Sequence, residues 1–407
     1  MLAPSRSRTP SPEPAGTAVW SRPPVSRPRR SDRVRRVALI AAALCLIPVV
    51  VSYIRTIAQP SDSSLGIRTV EWMRDNGARG IVNSVENFYY SLNAPAKGGP
   101  QLHALPAQSG VLAGGGVALR LHATGPRVHH YRPPRIAPVI HPALPGEGVW
   151  HATFSGGGSR PPVLITSYRP DPNYPRFVAG VAWIDHTRTS VMLYPGLQEP
   201  HVSMPSRGPM EVPPAARGRL MATFNSGFKL SDSGGGFAYN GHTYATMHDG
   251  MATFVRYYSG RVDIVNWSGG PTVGPNVLYA RQDLPLIIDR GQLNPNLSGG
   301  PEWGATLGNA VFVWRSAVGI DRHGNLLYTA APDQTAISLA KILQHAGAVR
   351  AMELDINSYW PSFITYRFAG AKQPSNLLVD MVRSPLRYLS PDDRDFFAVY
   401  VRQWARP

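Results

Sequence analysis

Between Val37 and Ile54 the chain runs for 18 residues without a charge, VALIAAALCLIPVVVSYI. This run constrains everything else, because roughly 17 to 25 apolar residues in a helix are what a bilayer's hydrocarbon core requires. Arg29, Arg30, Arg33, Arg35 and Arg36 stand immediately before it and only Arg55 immediately after. Positive charge is retained on the cytoplasmic side, so the N-terminus is expected inside and everything after residue 54 outside. Pro48 is expected to kink the helix. A cleavable signal peptide would need a shorter charged region and a small-x-small site after the apolar run. A lipoprotein signal would need a small residue before Cys45, where Leu44 stands. A buried helix of a soluble domain does not account for arginines packed so closely against the run. The expectation is a single-pass, uncleaved anchor over residues 37–54.

The formal net charge of +16 raises the question of nucleic acid. Its distribution answers it. Nine Arg and only two acids, Glu13 and Asp32, fall within residues 1–36, a Pro/Ser/Arg segment too poor in apolar residues to fold, expected as a disordered cytoplasmic tail. The remaining excess is spread over the rest of the chain, as on an ordinary basic surface, and no nucleic-acid partner is expected. The single cysteine, Cys45, lies in the apolar run, so no intramolecular disulfide forms and no cysteine nucleophile serves the outer domain.

Forty Pro and 39 Gly, with 17 Tyr, 12 Phe and 9 Trp, favour strands joined by many turns over a helical bundle. After the anchor, Ile67, Val70, Met73, Ile81, Val85 and Phe88 recur at helical spacing, interrupted by Gly77 and Gly80, and predict a stalk of two short helices. From Asn93 to about Pro145 the chain reads as a Pro/Gly-rich linker, so residues 55–147 are taken as stalk and linker and 148–407 as one globular domain. Strand-type runs occupy Val163–Tyr168, Phe177–Ile184, Val191–Tyr194 and Leu220–Phe224. Asn240-Gly241, Ser259-Gly260 and His323-Gly324-Asn325 each predict a hairpin. One helix is predicted from Ala336 to Ala346, capped by Thr335 and stopped by Gly347, and it leads into a buried strand, Ala348–Leu354. The fold class expected is therefore α+β: a strand-rich mixed-sheet domain with few helices.

Asp355 is the most pointed chemical candidate, because a carboxyl set where a buried strand opens into a polar loop can have a tuned pKa. Glu353, two residues earlier, is expected on the same strand face, and two carboxylates on one face suit glycosyl chemistry; alternatively Glu353 pairs with an arginine and Asp355 caps the turn. Arg315, among apolar neighbours, needs an anion, which is either a substrate phosphate or an internal acid. Asn225 either orients a substrate hydroxyl or caps its turn. His242, His248 and Asp249 match no compact metal spacing, so no cofactor is expected, and a divalent cation finds no support in the pattern. Gly234-Gly235-Gly236 lacks the Lys-Ser/Thr of a phosphate loop, and no Gly-x-Ser-x-Gly elbow is present.

Taken in order, several segments resemble the phosphodiester glycosidase family, in a divergent, bacterial membrane-anchored form. Asn225-Ser226-Gly227-Phe228 is similar to the family's Asn-Gly-Gly-Phe at a strand end. Leu286-Ile287-Ile288-Asp289-Arg290-Gly291 is similar to its apolar strand running into a polar turn. Arg315-Ser316-Ala317-Val318-Gly319, followed by Asp321 to Gly324, resembles Arg-Thr-Ala-Ile-Gly before a hairpin. Gly347-Ala348 and Leu354-Asp355 match a helix-strand step that ends in Leu-Asp-Gly-Gly-Gly-Ser, but Ile356-Asn357-Ser358-Tyr359 replace the glycines and serine. The resemblance spans Leu220 to roughly Tyr400.

The resemblance implies an envelope-facing hydrolase of a sugar-1-phosphodiester or related cell-wall glycoconjugate. On that reading Arg315 holds phosphate, Asp355 with Glu353 supplies acid/base or nucleophilic chemistry, and Asn225 positions the sugar. Gly227, Gly319, Asn357, Ser358 and Asp289 line the substrate. The alternative is a non-catalytic, membrane-tethered binder of envelope polysaccharide, for which Tyr359 and Trp360 offer stacking surfaces.

Overall fold

The computed structural model describes residues 30–108, 110–111, 131–154, 161–298, 303–304 and 312–402. The basic tail lies outside them up to residue 29, as do residues 112–130 of the expected linker. The chain divides into two compact units, Met1–Thr56 and Ile57–Pro407.

In the first unit a helix begins at Arg30 and runs on to Ala58, with Pro48 inside it. Its stretch Arg33–Ala58 is long and apolar enough to cross a membrane or to serve as a signal sequence, and none of its apolar window is buried in protein. Pro60 stands two residues beyond its end and cannot continue a helix.

The second unit is built on three antiparallel sheets. The largest has eight strands in the order 151–152, 163–168, 179–184, 326–334, 313–321, 348–356, 288–289 and 292–293. Two five-stranded sheets complete it, one formed by residues 237–282 and one that sets Leu220–Asn225 between Phe363–Phe368 and Phe396–Val401. The helix Ala336–His345 joins Leu326–Gln334 to Ala348–Ile356, and a mixed sheet was expected from that step. The described pairings are instead all antiparallel, because Val313–Asp321 inserts between the two strands and pairs antiparallel with each.

Local signals explain the connections. Asn240 and Gly241 both take positive φ, 50° and 77°, the primed two-residue turn that twists with the strands it joins. Thr335 caps its helix through a reciprocal box with Ser338. The three sheets share one core, in which Phe254 and Phe397 pack 4.3 Å apart between ring centroids and Phe224 and Phe397 5.0 Å apart. A second core lies between the large sheet and its helix, with Trp183, Leu339 and Leu343 at its centre.

Two helices, Leu65–Met73 and Arg79–Leu92, follow the apolar one and are separated at Gly77, whose φ is 88°. They are tied to the domain: Arg79 pairs with Asp232 at 2.9 Å, and Lys229 pairs with Glu71. Ile81, Val85 and Phe88 face solvent, while Tyr90 packs on a small cluster of Phe228, Val313 and Ile356.

Candidate functional site

Three strand ends meet on one side of the domain. Leu220–Asn225 and Ala348–Ile356 finish there and Phe396–Val401 begins there, with Phe396 opposite Asn225. The Asp355 N–H donates to the Ser226 carbonyl at 3.3 Å, and the Ser226 N–H to the Asp395 carbonyl at 3.3 Å. Backbone bonds thus fix where the loop 226–229, Asp355 and Arg394 stand relative to one another.

Asp355 and Arg394 form the centre. Arg394 Nη2 donates to Asp355 Oδ2 at 2.5 Å and to the Gly227 carbonyl at 3.3 Å, and its guanidinium lies 4.7 Å from the Trp360 ring centroid. The second Asp355 oxygen accepts from the Ile356 N–H at 2.9 Å. Around them a narrow cavity, with about 20 Å³ of free space, is lined by Lys229, Asp232, Asn357 and Trp360, with Glu71 and Arg74 contributed from the helical segment. Burial pushes the Asp355 carboxyl up to about 7, against the pull of Arg394 and with a further push from Glu71. For Glu71 burial also acts upward, but Lys229, Arg394 and Arg74 outweigh it and hold this carboxylate below its ordinary range. Arg394 stays cationic, its own pKa raised by Asp355 and Glu199 in spite of burial. Its Nε has no hydrogen-bond partner among the described residues.

The loop 226–229 is supported from beneath. A Cβ on Gly227 would fall 1.8 Å from Asp283 Oδ2, so only glycine admits this approach. The same oxygen accepts from the Phe228 N–H at 2.9 Å. Arg281 bonds the Phe228 carbonyl and pairs with Asp395 at 2.9 Å. Burial raises Asp283 to about 8.

The other sequence candidates stand elsewhere. Arg315 and Glu353 pair with each other at 2.6 Å, both buried, and Arg315 also donates to the carbonyls of Gln334 and Trp303. Neither lines the cavity. Between Glu353 and Ile356 the strand advances three residues against two on its neighbour, Arg315 to Ala317, which is a β-bulge. Strict alternation fails at that point, so the two carboxylates expected to work together meet different arginines. Asn225 is buried: its amide donates to Ser316 Oγ at 3.0 Å and to the Ser226 carbonyl, and its oxygen accepts from Tyr328 Oη and the Ser362 N–H. Ser316 Oγ in turn donates to the Asp355 carbonyl at 2.7 Å. Asn225 therefore braces Asp355 from one step behind.

Gly319 lies in mid-strand, where a Cβ would press within 3.0 Å of the Ala348 Cβ. Asp289 is exposed at the Arg290-Gly291 hairpin. Asn357 lines the cavity, and it, not Ile356, takes the positive φ of 86° that the altered loop demands; Ser358 follows it, half-buried. Among the described residues no group of three or more His, Cys, Asp or Glu is gathered for a metal ion. Sequence reasoning missed Arg394, Lys229, Asp232 and Glu71. The run Asp392-Asp393-Arg394-Asp395 directly before an apolar strand was the available signal for the first of these.

The segment after the apolar helix docks beside this site. Ser61 and Ser63 hydroxyls donate to Asp393 Oδ2 at 2.5 and 2.6 Å, Asp62 pairs with Arg383, and the Ser64 N–H donates to Tyr359 Oη at 3.3 Å.

No family model matches the chain, and no curated protein does. Among solved structures, it is similar to the zebrafish N-acetylglucosamine-1-phosphodiester alpha-N-acetylglucosaminidase catalytic domain auto-inhibited by pro-peptide, at 16% identity and a TM-score of 0.39, over 60% of this chain and 85% of that one. A hypothetical protein from Synechocystis is similar at 16% identity and a TM-score of 0.36, over 59% of this chain and 62% of that one. The relationship is distant and concerns the fold alone.

Proposed function

We propose that this chain is a membrane-anchored hydrolase whose outer domain acts on a sugar-1-phosphodiester or a related cell-wall glycoconjugate. The observation that carries the reading is Asp355, a buried carboxyl brought to about 7 in a cavity that also presents Arg394 and Lys229. A group that titrates near neutrality exchanges protons with little bias in either direction, which suits general acid/base work. The phosphate contact expected of Arg315 falls to Arg394, Lys229 and Arg74, since Arg315 is committed to Glu353. Arg394 lines the cavity through a guanidinium whose Nη2 bonds Asp355 and the Gly227 carbonyl, and a planar fork of this kind suits a phosphate. Trp360 offers an apolar ring face and Asn357 a polar side chain to the sugar.

Phosphate is a good leaving group and needs no proton to depart. The ionised Asp355 therefore serves as base: it takes a proton from water, the water oxygen bonds to the anomeric carbon, and the carbon–oxygen bond to phosphate breaks. The electron pair stays on the phosphomonoester, whose charge the three cations hold.

A second reading, a binder that cleaves nothing, draws on the Lys229–Glu71, Arg394–Asp355 and Arg74–Glu86 pairs, which already neutralise all three cations. Turnover of a chromogenic sugar-1-phosphodiester panel by the full chain in detergent, beside its Asp355→Asn form, separates the two. Hydrolysis abolished by the substitution supports the enzyme. Binding of cell-wall glycan without turnover in either form would retire it in favour of the binder.

A further inference from the structure

Around Arg383 the chain alternates between core and solvent with large aliphatic residues on both sides. Leu377, Leu378 and Met381 are buried in the shared core, whereas Val379, Val382 and Leu386 are 58%, 60% and 57% exposed. Arg383 is the residue that holds Asp62, and it lies 4.4 Å from the Tyr359 ring centroid, whose hydroxyl accepts from the Ser64 N–H. Leu65, the next residue, is 63% exposed. Exposed aliphatic side chains thus collect where the chain leaving the apolar helix first docks on the domain.

Covalent length says what lies close to that point. From the end of the uncharged run at Ile54, four helical residues and four extended ones reach Asp62, which allows at most ~20 Å. The headgroup layer beyond the hydrocarbon is itself about 5–7 Å thick. If residues 37–54 cross a bilayer, Asp62 and the residues beside it cannot leave the neighbourhood of its surface. Soluble domains keep clustered aliphatic side chains covered, and the cover available at this distance is lipid. Asp380 is exposed within the cluster, so the fit is to neutral headgroups and not to an anionic surface.

We infer that Leu65, Val379, Val382 and Leu386 form a membrane-docking patch that inserts into the interfacial layer of the same bilayer that the N-terminal helix spans. This rests on the anchor reading proposed above. Docking holds the domain in one orientation on the membrane, with its cavity at a fixed height, where a freely tethered domain would tumble.

The test uses the full chain with Cys45→Ala, reconstituted in phosphatidylcholine vesicles. Single cysteines are introduced as Val382→Cys, Leu386→Cys or Tyr258→Cys and labelled with an environment-sensitive fluorophore. Tyr258 is 59% exposed and belongs to the Ser259-Gly260 hairpin, so it serves as the exposed control. Nitroxide-headgroup lipid should quench the labels at 382 and 386 by roughly half and leave that at 258 nearly unchanged, as shallow insertion requires. Equal, weak quenching at all three positions in protein that resists carbonate extraction would overturn the patch while sparing the anchor. Protein released by carbonate would remove the anchor and the patch together. Label-to-label quenching that depends on protein density and not on nitroxide lipid would assign the patch to a second copy of the chain and overturn docking on lipid.

Discussion

The strand Ala348–Ile356 carries two carboxyls, each paired with an arginine, and the two pairs are built for different ends. Glu353 and Arg315 sit in mid-sheet, both buried, with Arg315 bonded to two backbone carbonyls besides its acid. Asp355 and Arg394 sit at the strand end, beside a cavity that other charged groups share. Each pair leaves one buried polar atom without a hydrogen bond among the described residues, Glu353 Oε2 in the first and Arg394 Nε in the second. Both atoms are buried, but Arg394 lines the cavity and Glu353 does not. Burial raises the pKa of both acids, so a raised pKa does not by itself mark a site. What distinguishes them is access, and the bulge between Glu353 and Ile356 provides it by turning Asp355 out of strict alternation.

The largest expected effect is on turnover by the outer pair. Asp355→Asn should lower kcat by roughly 10²- to 10⁴-fold, the usual contribution of a general base, while changing unfolding stability by only about 1 kcal/mol, since an amide oxygen still accepts from Arg394. Steady-state kinetics alongside urea unfolding would measure both. A stability loss as large as the kinetic one would make Asp355 a structural residue and erase the contrast.

For the inner pair the balance should reverse. Arg315→Ala leaves Glu353 buried without its partner and should cost about 3–5 kcal/mol of stability. Whatever fraction remains folded should keep its turnover per molecule. Should Arg315→Ala instead unfold at the wild-type urea midpoint and fail to bind phosphodiester, phosphate recognition would return to Arg315.

Stability against pH sharpens the same comparison. The folded protein holds the Asp355 proton up to about pH 7, whereas the unfolded chain releases it near the ordinary carboxylate value. The folded state therefore binds more protons between those values, and stability is full below about pH 4 and falls as pH rises through 7. Asp283, raised to about 8, contributes in the same direction. Urea midpoints at pH 5 and pH 8 should differ less in Asp355→Asn than in the wild type. An unchanged difference would mean that Asp355 is ionised throughout.

How far the sequence disclosed these pairs depended on the range of the forces involved. Asn240-Gly241 announced its turn and Thr335 its cap because a backbone preference and a bond three residues away decide both. Asp355 was legible as a carboxyl where a strand opens, again a local pattern. Its partner was not, because Arg394 lies 39 residues on and reaches it only once two different sheets have formed. Glu353 was assigned to the wrong company because alternation carries no mark of a bulge. Asn225 ends its strand as read, yet its amide turns inward, to Ser316 and Tyr328, on account of neighbours that come from the two arms of one distant hairpin. The antiparallel character of the large sheet was hidden for the same reason: the helix Ala336–His345 joins two strands that a third strand separates.

The smallest expected effect probes the helical segment that shares the cavity. Glu71 is held ionised beside Lys229 and raises the pKa of Asp355 by repulsion. Removing it as Glu71→Ala has two consequences with defined signs. Lys229 then keeps only the longer contact to Asp75, at 3.5 Å, so KM for a sugar-1-phosphodiester should fall by a factor of about 1.4 to 5, within what one such charge pair contributes. Asp355 loses a neighbouring negative charge, so its pKa should drop, and the rising limb of the pH–rate curve should move to lower pH with the plateau value of kcat retained. An ionised base gives such a rising limb, with rate increasing through about pH 7, whereas a proton donor would give a falling one. If Glu71→Ala lowers the plateau kcat instead, Glu71 is itself part of the chemistry, and the helical segment completes the site that Asp355 and Arg394 begin.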